Sequence, residues 1–445
     1  MGRAFIDQGI TFSLSGQERP FPLDLVPPRV ISAAEWSRLE RGITQRVKAL
    51  EMYLDDIYGD QEILRDGVIP RRLVTSCEHF HRQAAGINPP NGVRIHVAGI
   101  DLIRDAQGTF RVLEDNLRSP PSGVSYVMEN RRTMARVFPN LFATHRVRAV
   151  GDYSSHLLRA LRNAAATNEA DPTVVVLTPG PFNSAYFEHS LLARQMGVEL
   201  VEGRDLFCRD NVVYMRTTEG ERQVDVIYRR IDDDFLDPPM QFRPPDSVLG
   251  GVAGLLNAAR AGNVVISSAV GNGVGDDKLV YTYVPTIIEY YLGEKKPLLA
   301  NVDTMRCWLD DEREEVLDRI DELVIKPVEG SGGYGIVFGP DASEKELAAI
   351  RKKVIADPPR GWIAQPVVQL STVPTKVGDA LAPRHVDLRP FAVNDGEDVW
   401  VLPGGLTRVA LTEARWWSTP VRAADPRTPG CWPPARRGGC PRARR

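Results

Sequence analysis

The densest chemistry in the chain lies in Leu323-Val-Ile-Lys326-Pro-Val-Glu-Gly330-Ser-Gly-Gly-Tyr-Gly335-Ile-Val-Phe338. An apolar run carrying Lys326 enters a segment with four glycines in six residues, and a second apolar run follows. Without a Cβ, backbone N–H groups can approach phosphate oxygens closely, and a neighbouring lysine adds a point charge. A Walker A loop would end in Gly-Lys-Ser/Thr and open a helix, which this one does not. A dinucleotide fingerprint also needs a helix after its glycines. A protein kinase carries its lysine downstream, together with H-R-D and D-F-G, and neither triplet occurs here. What remains is a strand-loop-strand phosphate cover with its lysine upstream. The alternative is a hairpin turn, which has no need of four glycines.

Nucleotide triphosphates are used as magnesium complexes, so oxygen ligands should accompany such a loop. Two strand-like runs, 94–103 and 109–114, flank the turn Asp105-Ala-Gln-Gly108 and predict a hairpin. Alternation along the second run puts Glu114 and Asn116 on one face and Asp115 on the other. Asp101 on the first run could complete an oxygen-only site. Alone, Glu-x-Asn also fits a solvated strand end.

Other groups are less specific. Asp276-Asp277-Lys278 offers a second lysine for phosphate or forms a charged turn. His385-Val-Asp387-Leu-Arg389 alternates, which suits Arg389 for a phosphoryl group. The strand-like Trp362-Ile-Ala-Gln365-Pro could flank an adenine edge or simply sit in a core. Arg229 and Arg230, followed by Asp232, Asp233 and Asp234, read as a binder of charged substrate or as a surface ion-pair cluster. Glu78-His79-Phe80-His81 has poor helical spacing for zinc and no cysteine pair beside it.

The elements that must position these groups are partly legible. Ser32 and Glu35 form a capping-box pattern before a 3.6-residue apolar period through Ile57, which predicts a helix over 32–58. A helix over 152–166, a buried strand at 173–178, a helix at 184–196 stopped by Gly197 and a strand at 198–201 predict a βαβ unit. Further α/β elements fall at 224–229, 247–261 and 264–267, and from 310 strands and turns surround one helix at 343–355.

Of 445 residues, 43% are hydrophobic and 25% charged, ordinary for a globular protein. No apolar run approaches the roughly 20 residues of a membrane helix. The first residues lack the basic and apolar regions of a signal peptide. Five scattered cysteines make no disulfide framework. A cytoplasmic enzyme is the expectation. The net charge of −3 is uneven: residues 416–445 carry +6, leaving −9 on the rest. An acidic body argues against nucleic acid as a partner. The tail reads as unstructured sequence of the composition that GC-rich DNA gives in a shifted frame, or as a basic arm.

The motifs together resemble the circularly permuted ATP-grasp type 2 family, related to glutathionylspermidine synthase. They run I-H-V-A-G-I-D-L, V-L-E-D-N, P-S-G-V-S-Y, Y-F-E-H, Y-R-R-I-D-D-D-F-L-D, D-D-K, V-I-K-P with G-S-G-G-Y-G, and R-H-V-D-L-R-P-F, over about residues 10–413. In the usual ATP-grasp order the lysines and glycine loop come first and Glu-x-Asn last; here the order is inverted. The resemblance implies an α/β ATP-grasp fold with an additional α/β substrate domain. The expected division is a helical segment 1–91, a metal-binding part 92–150, a substrate domain 151–300, a lysine and glycine-loop lobe 301–415, and the tail 416–445.

It further implies that Asp101, Glu114 and Asn116 hold Mg²⁺, and that Lys278 and Lys326 contact ATP phosphates. Ser331, Gly332 and Gly333 would cover those phosphates, Gln365 would flank the adenine, and Arg389 would face the transferred phosphoryl group. The implied reaction joins a small-molecule or peptide carboxylate to an amine through an acyl-phosphate. After Leu411 the chain departs from the family pattern, which makes a nucleotide-binding scaffold without turnover the alternative.

Overall fold

The computed structural model describes residues 28–119, 122–167, 171–237, 251–329, 335–356, 360–377 and 379–410, together with residues 10–14 and 17–20. Ser331, Gly332, Gly333 and the arginine-rich tail lie outside the described residues.

The helix expected over 32–58 spans Ala33–Tyr58. The Ser32 hydroxyl accepts from the Glu35 N–H, and the Glu35 carboxylate accepts from the Ser32 N–H, closing the capping box. Leu39, Ile43, Val47, Leu50, Leu54 and Ile57 are buried along one stripe. Burial of each such side chain contributes up to about 2 kcal/mol. The stripe packs into one continuous core with Ile100, Leu102 and Val112 of the expected hairpin and with Val284 and Ile288 of a later helix.

That hairpin is Val97–Arg104 against Phe110–Asn116, and it does not stand alone. Val97–Arg104 pairs antiparallel with Asp387–Asn394, which pairs with Val399–Leu406, giving a four-stranded sheet built from the two ends of the fold. A second sheet is parallel, in the order Val265–Ser267, Val226–Arg229, Val174–Leu177, Glu199–Val201. Its last two strands flank the helix Tyr186–Met196, which ends at Gly197 in the left-handed region (φ 70°), so the βαβ unit is present. A third sheet orders Met305–Arg306, Trp362–Pro366, Leu323–Pro327 and Val337–Phe338, and it has its own core with Val316, Ile350 and Val354.

The structure holds helices that the sequence did not predict: Val124–Val137, Asp310–Asp318, which makes a second helix after residue 310 beside Glu344–Ala356, and Lys278–Leu292. The Val, Tyr, Thr and Ile content of Lys278–Leu292 and its internal Pro285 favour strand or a break. Tertiary burial of Leu279, Val280, Val284, Ile287 and Ile288 overrides that preference. The strands over 387–406 pair with the front hairpin and not with the sheet that carries Lys326. No described helix is long and apolar enough to cross a membrane.

Candidate active site

Asp101 sits opposite Glu114 across the hairpin, at a register shift between Asp101 and Leu102. Its carboxylate is fully buried and accepts from Arg389 through Nε and through Nη2 at 2.8 Å, and from Arg408 Nη2 at 2.5 Å. Arg408 also grips Asp387, with Nε 2.8 Å from Oδ2. Burial alone would raise the Asp101 carboxyl, but Arg408 and Arg389 hold it well below the usual carboxylate range. The opposite holds for Glu114, which desolvation and the adjacent Asp101 carboxylate push up. Arg389 Nη2 lies 3.8 Å from Glu114 Oε1. Asn116 Nδ2 is 3.5 Å from Asp101 Oδ1 and donates to the Gly99 carbonyl at 3.2 Å.

Asp115 points the other way, as alternation requires. It is buried in a bidentate pair with Arg46 of the long helix, at 2.6 and 2.7 Å. This fixes the strand from behind, so Glu114 and Asn116 stay on the open face.

The third sheet brings Lys326 to that face. Its Nζ donates to Gln365 Oε1 at 2.5 Å, and Gln365 Nε2 donates to Thr304 Oγ1 at 2.9 Å. Desolvation and the nearby Lys278 ammonium push Lys326 down to about 8, against the opposing pull of Glu114. Lys278 opens the unexpected helix, with its Nζ 3.4 Å from the Val328 carbonyl. The three residues of Asp276-Asp277-Lys278 have three different tasks. Asp276 accepts from the Leu117 and Arg118 N–H groups at 2.6 and 3.1 Å, holding the end of the Glu114 strand. Asp277 caps the helix through Leu279 N and Val280 N and pairs with Arg360. Lys278 is left to face the site. This join is tight: a Cβ on Gly275 would lie 2.6 Å from Leu117 Cδ1.

Beside Gln365 a cavity of about 270 Å³ is lined by Gln107, Arg111, Asp303, Pro366, Val367 and Val368. Gln365 itself is 3% exposed and spent on Lys326 and Thr304, so it aligns the lysine, and the residues after it line the cavity.

Arg229 and Arg230 differ from the expectation of a substrate binder. Arg229 is fully buried, and its guanidinium donates to the Ser268, Ala269, Ile231 and Arg118 carbonyls and pairs with Asp233 at 2.8 Å. Those contacts lock the carboxyl ends of two parallel strands to the Glu114 segment. Arg230 pairs with buried Glu188 at 2.9 Å and donates to Ser122 Oγ at 2.8 Å. Glu188 Oε2 in turn accepts from Gly123 N and Ser125 N at the start of the helix Val124–Val137. The Glu78–His81 segment likewise holds arginines and aspartates: His79 lies 3.2 Å from Arg118 Nη1 and His81 lies 3.7 Å from Asp233.

Sequence reasoning missed Arg408, Arg46 and Glu188 as organisers. Arg408 gave no signal in the sequence, because it reaches Asp101 only through the pairing of Leu406 with Arg389. Among the described residues no group of three or more His, Cys, Asp and Glu is gathered for a metal. The donor set still fits a divalent cation such as Mg²⁺. Glu114, raised by burial and by Asp101, and the Asn116 amide are the groups open on this face. Asp101 is fully buried with both oxygens accepting from Arg389 and Arg408, so a cation there would be held by Glu114 and Asn116 with Asp101 behind them.

Residues 28–365 match the family described as a circularly permuted ATP-grasp, and the chain belongs to that family. An uncharacterized protein of Mycobacterium leprae is 88% identical over 93% of this chain and 72% of its own length. One from Synechocystis is 53% identical over 92% of this chain and 84% of its own. A Frankia casuarinae protein provisionally named a glutamate–cysteine ligase is 45% identical, but this chain covers only 46% of it. A glutathione synthetase-like effector of Globodera pallida superposes with a TM-score of 0.59 at 13% identity, covering 92% of both chains, a likeness of fold.

Proposed function

We propose that the chain is an ATP- and Mg²⁺-dependent carboxylate–amine ligase of the cytoplasm, acting through an acyl-phosphate, with its acid and amine unassigned. The observation that carries this reading is the convergence of Lys278, Lys326 and Arg389 on Glu114. With Arg408, four cations surround two acidic groups, which suits a polyphosphate with its metal and offers little to a neutral ligand. The motif order, with the metal segment ahead of the lysine loop, supports kinship with glutathionylspermidine synthase. The provisional name of the Frankia relative is consistent with amide-bond formation.

In this reading Glu114 and Asn116 would hold the magnesium, with the expected third ligand Asp101 set behind them between Arg389 and Arg408, and the metal would supply charge neutralisation on the phosphates. Lys278 and Lys326 bind phosphate oxygens, the cavity beside Pro366–Val368 takes the adenine, and Ser331, Gly332 and Gly333 cover the phosphates. Arg389, oriented by Asp101, faces the γ-phosphoryl group as a carboxylate oxygen attacks its phosphorus and ADP leaves. The amine then attacks the acyl carbon, the C–O bond to phosphate breaks, and the amine's proton is lost. The protein aligns and neutralises; no covalent enzyme intermediate is needed.

A coupled assay for ADP release, with hydroxylamine as the amine and a panel of carboxylic acids, tests this. Acid-dependent ADP and hydroxamate formation that disappears without Mg²⁺ is expected. Nucleotide binding with no acid-dependent ADP across the panel would favour the scaffold instead.

A further inference from the structure

Alternation on the Glu114 strand continues past its last ladder residue. Asp115 and Leu117 are buried, while Glu114, Asn116 and Arg118 are partly exposed, so Arg118 shares the face of the metal-side residues. It lies about 7 Å along an extended chain from Asn116. Its guanidinium is 3.3 Å from Asp232 Oδ1, and the two side chains are 25% and 37% exposed. His79 lies beside Nη1, and burial and Arg118 itself lower the pKa of that imidazole, so it stays neutral and does not compete as a cation. The Arg118 backbone is fixed from both sides, its N–H to Asp276 and its carbonyl to Arg229. Asp232 follows the strand Val226–Arg229, at the carboxyl edge of the parallel sheet, where open α/β sheets take their ligands.

A half-exposed guanidinium and carboxylate held side by side match the two charges of an α-amino acid head group. We propose that Arg118 and Asp232 are the specificity pair for the acid substrate, Arg118 taking its α-carboxylate and Asp232 its α-ammonium. Because the α-carboxylate is then held away from the phosphoryl site, the carboxyl activated there is a second one on the same molecule. The substrate class is an acidic α-amino acid, free or at a peptide end. Guanidinium–carboxylate pairing is bidentate and geometry-selective, so lysine is a poor replacement.

This inference rests on the ligase reading, and its test separates the two. In calorimetry with Mg²⁺ and a non-hydrolysable ATP analogue, L-glutamate and L-aspartate are titrated into the full chain, with glutarate as the control lacking an ammonium. Saturable binding of at least one amino acid is expected, with glutarate at least tenfold weaker. Arg118→Ala and Asp232→Ala should each weaken amino acid binding tenfold or more and Arg118→Lys by an intermediate factor, all leaving analogue affinity within twofold. Unchanged amino acid affinity in Arg118→Ala, or no saturable binding of either amino acid while the analogue binds, overturns the inference. Failure of the wild-type chain to bind the analogue overturns the ligase reading instead.

Discussion

Lys326 gives the site a pH dependence on the alkaline side of neutrality. Its ammonium is pushed down to about 8, so the charge is present at pH 7 and is lost as pH rises through 8. Affinity for ATP should therefore fall between pH 7 and 9, by about tenfold if one charge-assisted contact is lost. Lys326→Met should bind weakly with a flat profile over that range, and fluorescence titration at each pH checks both. Arg408 makes a different demand. It neutralises Asp101 and Asp387, both nearly inaccessible, and Arg408→Ala removes a guanidinium from each, leaving Arg389 on Asp101. The expected loss is about 3 kcal/mol in chemical denaturation, since two buried carboxylates each lose a paired guanidinium. Arg408→Lys should recover part of it.

Among the elements, the segment Gly271–Lys278 matters more than its length suggests. It ties the end of the Glu114 strand, through Asp276, to the helix that carries Lys278. Gly275→Ala would drive a methyl into Leu117, which must move with the strand it belongs to. A cost of about 1–3 kcal/mol and at least a severalfold loss of ATP affinity are expected, read by urea denaturation and titration. The contrast with sequence reasoning is instructive here. The capping box and apolar period of Ala33–Tyr58 were legible because local propensity and tertiary packing agree. Lys278–Leu292 was not, because its residues prefer strand and only burial makes it helical. The hairpin followed from its turn residues, the βαβ unit from the order strand, helix, Gly197, strand, and the faces of Glu114, Asp115 and Asn116 from alternation. Arg229 and Arg230 were legible as functional letters, yet their burial, which sets their role, comes from two segments distant in sequence.

At the scale of the whole molecule, the site exists only where distant parts of the chain meet. Asp101 and Arg389 are 288 residues apart, and their contact depends on Val97–Arg104 pairing with Asp387–Asn394. Lys326 and Lys278 come from a separate sheet and a separate helix. The inverted motif order predicted that the front hairpin serves the lysine lobe, but not which strands would close its sheet, because long-range pairing leaves no local trace. In the proposed reading this assembled surface is a magnesium–nucleotide site. Calorimetric titration of ATP into the full chain, with and without Mg²⁺, alongside Glu114→Ala and Lys326→Ala, tests it most directly. Magnesium-dependent binding that each substitution weakens by tenfold or more is the predicted result. A folded sample that binds no ATP, or binds it equally well without Glu114 and Lys326, would contradict the account.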